Sequence, residues 1–276
     1  MIIAKDKFFK NSASSIKALK DNGFILIKNC IKKKDLKELN ETILSIFNKY
    51  KEIDLKKIKD IDDEKFHNEL TMLRKNSSKK FALFFDSIQT SSSNFRFWNS
   101  NKILKIVEKI SKNKFTSLST TDLAVRFDSP IDKKNALSWH QDSAYFRQNN
   151  KGENGINCWT PIINCNLNMG PLEILEKSHN LKMVDVKKKR KKNFGSLERK
   201  IDTKLIQKFK LRKFKMKIGD VLFMNMDMVH RSGTNSSKKF RISALCRFHK
   251  ILSRDFNPGL NIYRYSDKRL NKIVHN

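Results

Sequence analysis

Apolar residues in the first half of the chain recur mostly at helical spacing. Leu36, Leu39, Ile43, Leu44, Ile46 and Phe47 share one helix face, and Asp35 stands where it can cap that helix. Residues 12–20, 61–73 and 102–110 read as further helices. Between the first two helices, GFILIKNCI (residues 23–31) is β-rich and follows an Asp-Asn-Gly turn signal. From about residue 115 the pattern changes to short apolar runs separated by polar turns: LAVRF, INCWTPIINC, LEILE, DVLFMNM and ISALCRFH. Helices first and strands later predict an α+β chain whose mainly β core is an antiparallel sandwich or barrel. There is no internal repeat and no linker composition. Residues 1–276 therefore read as one domain, with helical additions over about 12–112 and a β core over about 115–250. The stretch of about 180–217 reads as a long inserted connection, and such connections often serve as lids.

Composition narrows the class. Hydrophobic content is 38% and Phe alone numbers 20, too apolar for a disordered chain. No apolar run approaches the roughly 20 residues of a membrane helix. The start, MIIAKDKFFK, lacks the uninterrupted apolar stretch of a secretory signal. Cys30, Cys158, Cys165 and Cys246 form no CxxC pair, so free thiols in a reducing cytoplasm are expected.

The formal charge of +31 has two readings. It suits an anionic partner, or it reflects a Lys-, Asn- and Ile-rich composition such as a genome biased toward A and T produces. The run VKKKRKK (residues 186–192) is a denser local cluster. It is either a solvated loop or a basic cover that draws in an anionic small-molecule substrate.

One constellation carries chemistry. In SWHQDSAYF, His140 and Asp142 are two apart, so on an extended strand they face the same side. A second histidine, His230, follows the apolar run DVLFMNM. Two histidines and one carboxylate on one face of a metal leave positions open, which suits non-haem Fe(II). Arg241 lies eleven residues beyond His230, and a hairpin through RSGTNSSKKF would return it to the metal. Its guanidinium could hold a carboxylate in a bidentate pair, with Ser232 adding a hydroxyl. Arg241 could instead pair with Asp220 or Asp227. Trp139 and Trp159 suit core packing, and Tyr145 and Phe146 suit either core or a substrate pocket. His179 suits a loop cap, while His67, His249 and His275 carry no supporting pattern.

WHQD, GPLEILEKSHN and GDVLFMNMDMVHRSGTNSSKKFR together resemble the phytanoyl-CoA dioxygenase family of Fe(II)/2-oxoglutarate oxygenases, and DNGFILIKNCI resembles that family's opening strand. The resemblance spans about residues 20–250. It implies a double-stranded β-helix, a jelly-roll or cupin-like barrel with flanking helices. It implies His140, Asp142 and His230 as iron ligands, and Arg241 with Ser232 as the site for the distal carboxylate of 2-oxoglutarate. Gln141 and Trp159 match positions that line the family's cosubstrate pocket. The implied reaction uses O2 and 2-oxoglutarate to hydroxylate an aliphatic carbon of a small metabolite, releasing succinate and CO2. Halogenating relatives carry a small residue in place of the carboxylate, so Asp142 favours hydroxylation. One departure is visible: Lys177-Ser178-His179 stands where the family commonly has Gly-Ser-His.

Three alternatives compete. Arg241 and Arg247 form an Arg-x5-Arg pattern like that of AlkB-type nucleic-acid demethylases, though the spacing from His230 weighs against that group. A non-catalytic binding protein on the same fold would have no need of the metal and carboxylate residues. A hydrolase using the same three ligands would leave Arg241 without a reason. The oligomeric state has no sequence signal.

Overall fold

The computed structural model describes residues 1–51, 58–130, 138–146, 148–149, 151–184, 187–190 and 197–258. The chain opens with β1 (Ile2–Ala4), α1 (Lys5–Lys10) and α2 (Ser12–Asn22), then β2 (Phe24–Lys28). Helices α3 (Lys37–Tyr50), α4 (Glu64–Asn76), α5 (Ser78–Gln89), α6 (Ser92–Trp98) and α7 (Asn101–Ser111) follow. The strand-rich part contains β3 (Leu118–Asp128), β4 (Gly155–Pro161), β5 (Leu172–Leu175), β6 (Lys187–Arg190) and β7 (Leu197–Lys200). A short helix α8 (Thr203–Ile206) leads to β8 (Leu211–Lys213), β9 (Val221–Asn225), β10 (His230–Ser232) and β11 (Arg241–Lys250).

Two sheets form the core. The larger has strand order β1-β2-β9-β4-β11-β3, and the smaller has order β10-β5-β8. Every pairing is antiparallel except β1 with β2. The central strands β4 and β9 are almost wholly buried, which is why WTP and VLFM read as continuous apolar runs rather than alternating ones. Helices α5 and α6 lie against β3 and α2 against β2, and the other helices pack on these through regular apolar stripes. In α3 these are Leu39, Ile43 and Phe47, and in α7 Ile103, Leu104, Ile106, Val107 and Ile110, with Lys102, Lys105 and Lys109 turned outward. Gly23 ends α2 at φ +82, a conformation that a side chain would strain, and the chain turns there directly into β2.

Several expectations need correction. Asp35 lies inside a 3-10 turn, Lys33–Leu36, where its carboxylate accepts from the Lys32 amide and pairs with Lys102. The helix itself begins at Lys37. Helices α5 and α6 were not expected from the sequence: α6 is only seven residues long, while α5 does carry a helical stripe, Phe81, Phe84, Phe85 and Ile88, inside and just after the run FALFF. The expected hairpin from His230 to Arg241 does not form. β10 pairs with β5 in the small sheet, while β11 pairs with β3 and β4 in the large one, so residues 233–240 cross between sheets. The stretch 180–217 is not all insertion either. Its last part includes β8, which pairs with β5, and only β6 and β7 form a separate hairpin. Residues 186, 191 and 192 of the basic run, and His275, lie outside the described residues. All four cysteines are free and buried.

Candidate active site

His140 and His230 face one another as a hydrogen-bonded antiparallel pair. Each backbone N–H donates to the other's carbonyl at 3.0 Å, which adds a rung to the end of β10. Their rings are thereby brought to 4.3 Å between centroids. Gln141 is extended, at φ −116 and ψ 136, so Asp142 returns to the side of His140 as two-residue alternation requires. The extended segment then ends at once in a 3-10 turn, Asp142–Ala144. The two-apart geometry therefore needs one extended residue, not a strand.

The donor atoms converge. One atom from each of His140, Asp142 and His230 lies within 4.8 Å of the others, and no other such group occurs among the described residues. Asp142 Oδ1 is 3.5 Å from His140 Nε2 and 3.7 Å from His230 Nε2. The opposite ring nitrogens are tied to backbone carbonyls, His140 Nδ1 to Ser138 at 2.7 Å and His230 Nδ1 to Met228 at 2.9 Å. A carbonyl only accepts, so each Nδ1 carries the proton and each Nε2 presents a lone pair inward. Burial, and then the neighbouring His140, push the His230 pKa down to about 4, so its imidazole stays neutral and able to ligate at neutral pH.

The carboxylate is oriented by its other oxygen. Asp142 Oδ2 accepts from Arg247 Nε at 3.0 Å and Nη2 at 2.9 Å, and from the Asn157 amide. Burial alone would raise the Asp142 pKa. The Arg247 guanidinium, with His230 and His140, outweighs it and holds the group far below the usual carboxylate range. A local irregularity sets Arg247 in place. The register of β3 against β11 shifts between Leu245 and Arg247, and Asp122 sits there at φ +51. The Asp122 carbonyl accepts from Arg247 Nη1 at 3.2 Å, while the Arg247 guanidinium lies 3.8 Å over the Phe146 ring.

These residues line a cavity of about 330 Å³, which Arg241, Ser232, Trp159, Arg126, Phe85, Tyr145 and Phe146 also border. Arg241 is buried, with 2% of its side chain exposed. Its Nε and Nη2 donate to Asp128 Oδ2 at 3.2 and 2.8 Å, so its partner is neither Asp220 nor Asp227. Asp220 instead accepts from Lys28 and from the Asn29 and Lys217 amides. Arg241 Nη1 is buried without a hydrogen-bond partner among the described residues. A buried unsatisfied guanidinium nitrogen at a cavity wall suits an anionic ligand group there.

Gln141 is placed elsewhere. Its amide donates to the carbonyls of Lys182 and Asp227 and accepts from the Val184 amide, so it pins the loop after residue 181 and does not line the cavity. It faces away because the residue between two same-side ligands must point to the other side. Trp139 joins a small apolar cluster with Leu175 and Val229, with Arg231 stacked 4.5 Å from its ring. His179 ties its turn to α2 through the Lys20 carbonyl at 2.8 Å. Lys177 adopts φ +67, a left-handed conformation of the kind the family's glycine favours. Ser178 Oγ accepts from the Val229 amide and so fixes the approach to His230. The residues missed from sequence were Arg126, Asp128, Asn157 and the role of Arg247. The only signal was alternation: Arg247 shares parity with Arg241 on β11, as Arg126 does with Asp128 on β3.

Solved structures share this architecture. The epimerase SnoN, in complex with Fe3+, alpha ketoglutarate and nogalamycin RO, is 13% identical, with 86% of this chain and 83% of that one covered and a TM-score of 0.58. EctD from S. alaskensis, with 2-oxoglutarate and 5-hydroxyectoine, is 13% identical over 91% and 81% of the two chains, with a TM-score of 0.60. The non-heme monooxygenase ThoJ is 14% identical over 85% and 76%, with a TM-score of 0.56. At these identities the likeness is one of fold, the double-stranded β-helix with helices on its flank. No curated protein matches the chain. The family model described as phytanoyl-CoA dioxygenase (PhyH) matches residues 19–243, most of the chain and all of the cavity's ligand-bearing segments. The chain therefore belongs to the phytanoyl-CoA dioxygenase family of non-haem iron, 2-oxoglutarate-dependent oxygenases.

Proposed function

We propose that this oxygenase hydroxylates an aliphatic carbon of a small metabolite, with His140, Asp142 and His230 as its iron ligands. The supporting observation is the convergence of two Nε2 lone pairs and one free carboxylate oxygen, with every other polar atom of those three side chains already tied down. When bound, iron and 2-oxoglutarate supply the oxidising chemistry, with O2 consumed and succinate and CO2 released. The chain's own residues do the rest. Ser138 and Met228 carbonyls hold the imidazole tautomers. Arg247 and Asn157 hold Asp142 ionised and aimed. Arg241 Nη1, with Ser232 at the same wall, receives the distal carboxylate of the cosubstrate, and Trp159 packs beside it. Phe85, Tyr145 and Phe146 narrow the cavity and displace water.

The test is an anaerobic titration of metal-free protein with Fe(II) and then 2-oxoglutarate, followed by visible absorption. A charge-transfer band that requires both additions is expected. His140→Ala should abolish it, and Arg241→Ala should demand roughly a hundredfold more 2-oxoglutarate to produce it. No band in the folded wild type would overturn the reading.

A further inference from the structure

The carboxylate-binding end of the cavity contains more charge than one arginine can explain. Asp128 bridges two guanidinium groups, Arg126 Nη2 at Oδ1 and Arg241 Nη2 at Oδ2, each at 2.8 Å. Asp128 is held down at about 2: burial raises it, and Arg126 and then Arg241 more than offset that. The trio therefore carries two positive charges and one negative. Asp128 and Arg241 alone would make a neutral pair, with hydrogen-bonding capacity at Arg241 Nη1 but no net field to favour an anion. Arg126 supplies the surplus charge, and it lines the same cavity from β3. The remaining charged lining residues, Asp142 and Arg247, form an ion pair at the metal end, and Asp142 also acts on Arg126, so the three arginines and two aspartates together leave one positive charge in excess.

We propose that Arg126 determines cosubstrate specificity: its charge, in excess of Asp128, makes this end of the cavity select a 2-oxo acid with a second carboxylate over one with an uncharged tail. The proposal rests on the reading of this wall as the site of the cosubstrate's distal carboxylate. An anion taken out of water needs a net opposite charge beside it, and hydrogen bonds to a neutral pair replace only part of its hydration.

The experiment compares two five-carbon 2-oxo acids, 2-oxoglutarate and 2-oxopentanoate, which differ only in a terminal carboxylate against a methyl. Dissociation constants are measured calorimetrically on the Fe(II)-loaded protein without oxygen. The proteins are wild type, Arg126→Gln, Arg126→Met and Arg126→Lys, with circular dichroism to check folding. Both neutral variants leave the Asp128–Arg241 pair in place. The wild-type preference for 2-oxoglutarate is expected to fall at least about tenfold in either neutral variant and to be retained in Arg126→Lys. A smaller fall in a folded neutral variant, or an equal fall in Arg126→Lys, overturns the proposal. Wild-type protein that binds neither acid would instead sink the assignment of the wall itself.

Discussion

The two ends of the cavity are built on opposite plans. At the metal end an arginine positions a carboxylate: Arg247 and Asn157 occupy Asp142 Oδ2 and leave Oδ1 facing the two imidazoles. At the other end a carboxylate positions an arginine: Asp128 occupies Nε and Nη2 of Arg241 and leaves Nη1 open. In both, the buried partner satisfies most of a charged group and exposes a single atom to the ligand. Both arginines come from one strand, β11, six residues apart. The lesson is that a buried ion pair here serves aim more than stability, since burying charge costs about as much as the pairing returns.

That contrast can be broken one end at a time. Arg247→Met leaves Asp142 buried without its guanidinium partner. Fe(II) affinity is expected to fall about 10- to 100-fold in a calorimetric titration, while the preference for 2-oxoglutarate over 2-oxopentanoate stays unchanged. Loss of that preference as well would mean the ends are coupled through β11.

A weaker effect sharpens the comparison through pH. His67 Nδ1 accepts from the Phe240 amide at 3.1 Å, just before Arg241, so His67 anchors the carboxylate end. Burial, and then Lys239, lower its pKa to about 4. The unfolded chain takes up this proton near the ordinary histidine value of about 6.5, and the folded chain resists until about pH 4. Stability of the metal-free protein should therefore fall as pH drops from about 6.5 toward 4, by roughly 3 kcal/mol from this residue. His67→Gln should flatten that part of the melting-temperature profile.

The smallest effect is a control outside both ends. Lys177 is exposed and held at φ +67, so Lys177→Gly should raise stability by up to about 1 kcal/mol. Thermal melts should show the gain, with both ligand affinities unchanged. A loss of stability would point to a contact of the Lys177 side chain as the stronger influence.

Much of the core was legible because its signals are local. The runs at Leu172–Leu175, Val221–Asn225 and Arg241–Lys250 needed only apolar strand patterning, and the helices at Ser12–Asn22 and Asn101–Ser111 needed only the helical period. Helix α6, seven residues long, is too short to show a full stripe, whereas the α5 stripe of Phe81, Phe84, Phe85 and Ile88 was legible and had simply not been expected. The hairpin expected after His230 failed because a short polar connection looks the same whether it returns within a sheet or crosses to another. Gln141 was misplaced for a related reason: adjacency to a ligand in sequence puts a residue on the opposite side of the backbone.

By itself the sequence determined the chemistry available: an HxD pair, a later histidine, an arginine eleven residues beyond it, and the family that this spacing marks. Only the tertiary structure decided which charges neutralise which. Arg241 finds Asp128 at a separation of 113 residues, and Arg247 finds Asp142 at 105. Such pairings follow from strand order and from the shift of register opposite Arg247. Those depend on how whole sheets pack to bury apolar surface, and no local pattern of residues records that.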